Sequence, residues 1–160
     1  MQYSDRVMHR PNSQRGARVA FDPIADAWQL LHEAARLPYM TARSRQWGQE
    51  FGERVRAARQ AVRRHIAGSM EEESLLTSVE REQPRLRSAV TRQLGEHWPL
   101  VLQLDALCDG VSAGLEIDIW RMVDLGERAM LLGRALERHH DQLVRLTYEV
   151  SNRELGGEGG

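Results

Sequence analysis

The stretch LGERAMLLGRALERHHDQLVRLTYEV, residues 125–150, decides the fold. One set of positions in it recurs at alternating steps of four and three residues, and all but one of these positions are apolar. This spacing places the set on a single face of an α-helix, and such a face is buried against other helices. The members of this stripe are Leu125, Ala129, Leu132, Leu136, His139, Leu143, Leu146 and Val150.

The same spacing appears in two earlier segments of the chain. One stripe runs from Phe51 to Val79 and becomes polar in its second half, and the other runs from Leu86 to Cys108. A shorter helix is predicted before them, with Asp22 as a candidate N-cap and Pro23 in the first turn. Its apolar face comprises Ile24, Trp28, Leu31 and Ala35.

Breaks between the four predicted helices fall at 38–48, at Gln83 and Pro84, and at 109–115. Short connections favour antiparallel neighbours, so the sequence predicts an all-α, up-down-up-down four-helix bundle over residues 21–155. Residues 1–20 show no periodicity and are predicted to be a disordered N-terminal arm. Residues 156–160 contain four glycines and are predicted to be a flexible tail.

Composition limits the classes of function. The chain of 160 residues is 41% hydrophobic and 28% charged, enough for one domain with one core. All 22 basic residues are Arg, which excludes Schiff-base and P-loop lysine chemistry. The net charge of −1 and the interspersed acidic residues argue against a nucleic-acid partner. No membrane span, signal peptide or catalytic motif is recognisable, so we expect a cytoplasmic protein that is not an enzyme.

Three histidines occupy stripe positions where Leu or Val is expected. His65, His97 and His139 each lie on a different predicted long helix. A neutral imidazole in a bundle core needs a partner for its nitrogens, and a metal ion is one such partner. The midpoints between successive histidines, residues 81 and 118, fall beside predicted turns, so an antiparallel bundle places the three at one height. His32 joins them only if the first turn is near Gly48, and Pro38 argues for an earlier turn.

The histidine segments resemble those of a known family. Leu94-Gly95-Glu96-His97 with the following leucines, and Leu136-Glu137-Arg138-His139 leading to Tyr148-Glu149, are similar to the histidine-bearing helices of hemerythrin-like (HHE cation-binding) proteins. The similarity covers residues 25–155. It implies a four-helix bundle with one histidine per helix and a non-haem iron site, usually di-iron. Such a site binds or senses oxygen, peroxide or nitric oxide.

The chain departs from that family at the expected carboxylates. The family carries His-x-x-x-Glu pairs, but Ser69 follows His65 and Leu143 follows His139 at that spacing. A mononuclear histidine site for zinc, copper or iron is therefore favoured over a di-iron centre. Glu72, two turns beyond His65, is the candidate carboxylate ligand. The remaining acidic residues near the stripes, Glu71, Glu73, Glu96 and Asp105, are interpreted as solvated or salt-bridged groups.

Two hypotheses of different classes remain open. In the first, a hemerythrin-like protein coordinates iron or zinc for small-molecule sensing or metal handling, through His65, His97, His139, His32 and Glu72. In the second, a metal-free and non-catalytic helical module retains the bundle with a vestigial site. The module acts through homodimerisation or an unknown protein partner. An apolar cofactor such as haem is a further alternative to the metal.

Overall fold

The computed structural model describes residues 23–70, 81–111 and 116–154, and every regular element within these ranges is helical. The prediction of an all-α fold is confirmed. Two 3₁₀ turns, Thr41–Arg43 and Pro84–Leu86, precede longer helices. The α-helices are α1 (Pro23–Ala35), α2 (Ser44–Met70), α3 (Arg87–Gly95), α4 (His97–Gly110) and α5 (Ile119–Glu154).

The third of the four predicted helices is interrupted at Glu96, which separates α3 from α4. Pro99 explains the interruption, since it has no N–H to donate to the carbonyl of Gly95 and its ring crowds that carbonyl. The chain nevertheless continues in the same direction. The Glu96 N–H donates to the Arg92 carbonyl at 3.1 Å, and the Leu100 N–H donates to the Glu96 carbonyl at 3.2 Å. α3 and α4 therefore form one kinked helical rod, and α1, α2 and α5 are the other three rods of the bundle.

The four rods pack in a ring that follows the chain order. α1 packs against α2 and α5, and α4 packs against the same two helices from the other side. This adjacency is the one expected of a four-helix bundle with short connections. The alternating up-and-down course stays a prediction.

The first connection is shorter than the sequence predicts. α1 begins at Pro23 as expected, but α2 already starts at Ser44 and includes Gly48. Gly48 is buried, and a Cβ there would lie 3.0 Å from the Ile117 side chain. Gly48 therefore lies within a helix, where it permits close packing against Ile117, and does not mark a turn. The predicted break at 38–48 is wrong at its C-terminal end, because α2 begins at Ser44.

The bundle core consists of two apolar clusters of unequal size. The larger cluster draws on α1, α2, α4 and α5 and includes the fully buried Phe51, Leu104 and Leu125. The smaller cluster centres on Val90 of α3 and Leu146 of α5. Along α5, the last buried residue of the larger cluster is Leu136, and Leu143 belongs to the smaller one. The histidine stripe positions fall between the two clusters.

None of the described helices combines the length and the apolar character required to cross a bilayer. The predicted N-terminal arm at 1–20, the candidate cap Asp22 and the glycine tail at 156–160 lie outside the described residues.

Replacement of Leu104 by Ala should lower the free energy of unfolding by about 2–5 kcal/mol, because the side chain is fully buried and its loss leaves a cavity. Urea denaturation monitored by circular dichroism measures the change. The matched control is Leu102→Ala on the same helix, where the side chain is 49% exposed. That change should stay within about 0.5 kcal/mol. Equal losses in the two variants would contradict the described orientation of α4.

Candidate metal centre

Three histidines from three helices meet in the bundle interior. His65 lies in α2, His97 is the first residue of α4, and His139 lies in α5. Their exposed fractions are 6%, 7% and 1%. The ring centroids lie 5.1–5.3 Å apart, and one ring nitrogen from each residue lies within 4.8 Å of the other two. The prediction that these histidines share one height in the bundle is confirmed.

The closest approach in the cluster joins Nε2 of His65 to Nε2 of His139, at 3.2 Å. Two nitrogens bound tetrahedrally to zinc at about 2.0–2.1 Å are separated by roughly 3.3–3.4 Å. The observed separation is therefore close to that of two ligands on one ion. One ring nitrogen of His97 lies within 4.8 Å of a nitrogen of each of the other two histidines, so the third ligand is close to the same shell.

Glu96 contacts the other nitrogen of His139. Its Oε2 lies 2.8 Å from His139 Nδ1, and the Glu96 side chain itself is 38% exposed. An ionised carboxylate only accepts hydrogen bonds, so Nδ1 carries the proton and donates it. In the neutral ring, Nε2 of His139 then carries a lone pair, which can accept a hydrogen bond from His65 Nε2–H at 3.2 Å.

Gln93 holds the backbone of the same histidine. Its side-chain Nε2 donates to the His139 carbonyl at 2.7 Å, and Gln93 is only 1% exposed. The hydrophobic spacing does not reveal Gln93, and it places Glu96 off the stripe as an ordinary salt-bridge partner. Glu96 does pair, but its partner is a histidine of the cluster. The residue that could have revealed this contact is Pro99. A proline interrupts the helix one turn before it, near Glu96, and the regular stripe spacing does not take that interruption into account.

His97 is the least satisfied member of the cluster. Its Nε2 is buried and has no hydrogen-bond partner among the described residues. Burial, together with the smaller electrostatic influence of His65 and His139, lowers the pKa of His97 from 6.5 to about 4. The imidazole is therefore neutral near pH 7. A neutral, desolvated ring nitrogen in this position can bind a cation.

The structure does not bring His32 to the cluster. Its ring packs edge-on against Trp28, with centroids 5.6 Å apart, and a Cβ on Gly133 would lie 3.4 Å from His32 Nε2. Gly133 precedes His139 by six residues, which is about 9 Å along a helix axis. His32 lines a separate surface cavity with Glu137 and other residues between α1 and α5.

The acidic residues considered in the sequence, of which only Glu72 was predicted as a ligand, fall into two groups. Glu72, together with Glu71 and Glu73, lies outside the described residues. Asp105 is a salt-bridge partner as predicted, 3.1 Å from Arg59 and 3.5 Å from Arg63. Within the described ranges, the histidine cluster includes no acidic residue as a potential ligand.

Two positions expected to carry carboxylates in hemerythrin-like proteins are occupied by residues that have no carboxylate, Ser69 and Leu143. The Ser69 hydroxyl donates to the Ile66 carbonyl at 2.8 Å, one turn back in α2. Leu143 packs against the smaller apolar cluster. Neither residue supplies a bridging oxygen, so the described site lacks the ligands of a carboxylate-bridged di-iron centre.

Comparison with known proteins finds no matching family model, no similar curated protein and no similar solved structure. Classification of this chain therefore rests on its own fold and site. It is a helical-bundle protein with three buried, converging core histidines that could hold a metal ion.

The free energy of unfolding of the metal-free protein should fall as the pH drops from about 6.5 to about 4. His97 has a pKa of about 4 when folded and 6.5 as a model value, so the unfolded chain binds the proton more readily in this window. Each unit of difference corresponds to about 1.4 kcal/mol, giving a loss of roughly 3 kcal/mol. Urea denaturation at several pH values in the presence of a chelator measures it.

The control variant for this pH dependence is His97→Leu, which removes the titrating group and leaves His65, His139 and Glu96 in place. Its stability should change less across the same window. An identical pH dependence in the wild type and the variant would show that His97 is not the group responsible.

Proposed function

We propose that this protein is a hemerythrin-like bundle that binds one transition metal ion through His65, His97 and His139. The observation that carries the proposal is the convergence of three buried histidines, each with one ring nitrogen within 4.8 Å of the others. His97 also has a buried Nε2 without a hydrogen-bond partner among the described residues. Buried polar nitrogens are costly when unpaired. A metal ion would bind one nitrogen of each histidine and would offset the cost of holding three imidazoles in the core.

The chemistry of the donor set favours zinc or iron over magnesium or calcium. Imidazole nitrogen is a borderline ligand suited to zinc, copper, iron and nickel, whereas magnesium and calcium take oxygen ligands. Three neutral histidines also match the protein ligand set of mononuclear zinc sites that keep an open fourth position. A mononuclear centre is therefore proposed in place of the di-iron centre that the family resemblance implies.

An open fourth position defines the proposed role. Three protein ligands leave at least one coordination site on a first-row ion for water or another small molecule. Each histidine is less than a tenth exposed, so only small ligands are expected to reach the ion. With iron, this arrangement suits sensing of oxygen, peroxide or nitric oxide, and with zinc it suits metal handling. The cytoplasm is the proposed location.

Elemental analysis of protein purified without a histidine tag tests the proposal. We expect close to one equivalent of iron or zinc per chain in the wild type. The triple variant His65→Leu, His97→Leu, His139→Leu should contain none, while circular dichroism should show that it remains helical. His32→Ala is the matched control, since it removes a histidine that lies outside the cluster, and it should retain the metal.

A metal-free wild type that also fails to take up added Fe(II) or Zn(II) would contradict metal binding. It would instead support the hypothesis of a metal-free bundle with a vestigial site. The three buried imidazoles would then lower the free energy of unfolding, because no bound metal would offset their burial. In that case the leucine variant should be at least as stable as the wild type. Loss of metal in His32→Ala as well would place the ion elsewhere.

A further inference from the structure

We infer that Glu96 is a positioning residue that fixes the tautomer of His139, so that the Nε2 lone pair of that histidine faces the centre of the cluster. The inference deepens the proposed function and rests on it for its consequence in metal affinity. Its structural content, the location of one proton, can be tested without any metal.

The end of α3 and the residue that follows it hold His139 at two points. Glu96 Oε2 lies 2.8 Å from Nδ1 of the ring, and Gln93 Nε2 lies 2.7 Å from the backbone carbonyl. Gln93 and Glu96 are three residues apart, so they share a helix face. Because one contact fixes the ring and the other fixes the backbone, both the position and the rotation of the imidazole are constrained.

The contact between His139 and Glu96 corresponds to that of a metal-binding histidine whose second ring nitrogen donates to a carboxylate that does not itself touch the metal. Metal-bound histidines donate their second ring N–H to a carboxylate or carbonyl, which fixes the tautomer and raises the basicity of the ligating nitrogen. Here Nδ1–H points to Glu96, while Nε2 lies 3.2 Å from His65 Nε2. With an ion bound, the carboxylate would also offset part of its positive charge, because the candidate ligands among the described residues are all histidines.

The burial pattern distinguishes this contact from a surface ion pair. The His139 side chain is 0% exposed, whereas Glu96 is 38% exposed and reaches inward from the kink between α3 and α4. Exposed salt bridges contribute little to stability. A contact that links a partly exposed carboxylate to a fully buried ring orients that ring, and Pro99 places the kink where Glu96 can make it.

The first measurement locates the proton. In metal-free protein with ¹⁵N-labelled histidine, long-range ¹H–¹⁵N correlation spectra distinguish Nδ1–H from Nε2–H. We expect His139 to be the Nδ1–H tautomer in the wild type and to lose that preference in Glu96→Ala. Glu96→Gln should retain it, because the amide oxygen still accepts a hydrogen bond. An Nε2–H tautomer in the wild type would overturn the inference.

The second measurement is zinc affinity by competition with a chromophoric chelator. Loss of an outer-shell partner of this kind weakens metal binding about 10- to 100-fold, which is the expected effect of Glu96→Ala. Glu96→Gln should fall between Glu96→Ala and the wild type, since it loses only the charge. Glu137→Ala is the matched control, because it removes a partly buried carboxylate near His139 in the chain. It should change affinity less than twofold.

Thermal unfolding of the metal-free variants separates positioning from a structural role, since a merely structural contact would lower the Tm without changing the tautomer. Unchanged zinc affinity in Glu96→Ala, with normal binding by the wild type, would overturn the inference and leave the proposed function intact. A wild type that binds no zinc but shows the Nδ1–H tautomer would overturn the proposed function and leave the positioning of His139 supported.

Discussion

The site depends on the burial of three imidazoles, with the Gln93 side chain, in a core whose other buried residues are apolar over the described ranges. Burying a polar ring nitrogen without a partner costs free energy, whereas leucine at the same positions would add packing. The protein offsets part of this cost with local contacts. His65 and His139 face each other through Nε2, and Glu96 accepts from the far side of His139. His97 Nε2 has no such contact among the described residues, and its depressed pKa keeps the ring neutral.

Helix packing follows directly from the hydrophobic spacing. The alternation of four and three residues in 125–150 identifies the buried face of α5, where Leu125, Ala129 and Leu136 are fully buried. The same spacing predicts that His65, His97 and His139 point inward, and the structure brings them together. This part of the fold and site was accessible from sequence because the burial of a helix face depends on periodicity and not on the identity of its neighbours.

The remaining parts of the site depend on local geometry that a stripe does not encode. Glu96 lies off the ideal stripe, and it contacts His139 at the kink where Pro99 interrupts the third rod. Gln93 donates to the backbone carbonyl of His139. Every residue has a backbone carbonyl, so a pattern of side chains in the sequence cannot indicate which one Gln93 will contact. The sequence around Gly48 predicts a turn because glycine is typical of turns as well as of close packing between helices. The close approach of the Ile117 side chain shows that Gly48 serves close packing.

The division of the core into two clusters has a consequence for cooperativity. The histidine stripe positions separate the larger cluster from the smaller one around Val90 and Leu146, which α1 does not join. A small unit with few apolar contacts opens at a lower free energy than the main core. An ion bound by histidines of α2, α4 and α5 would crosslink these helices at the boundary between the two clusters. Its binding free energy would therefore oppose local unfolding of the smaller cluster around Val90 and Leu146. Amide hydrogen exchange in α3 would then report occupancy of the centre.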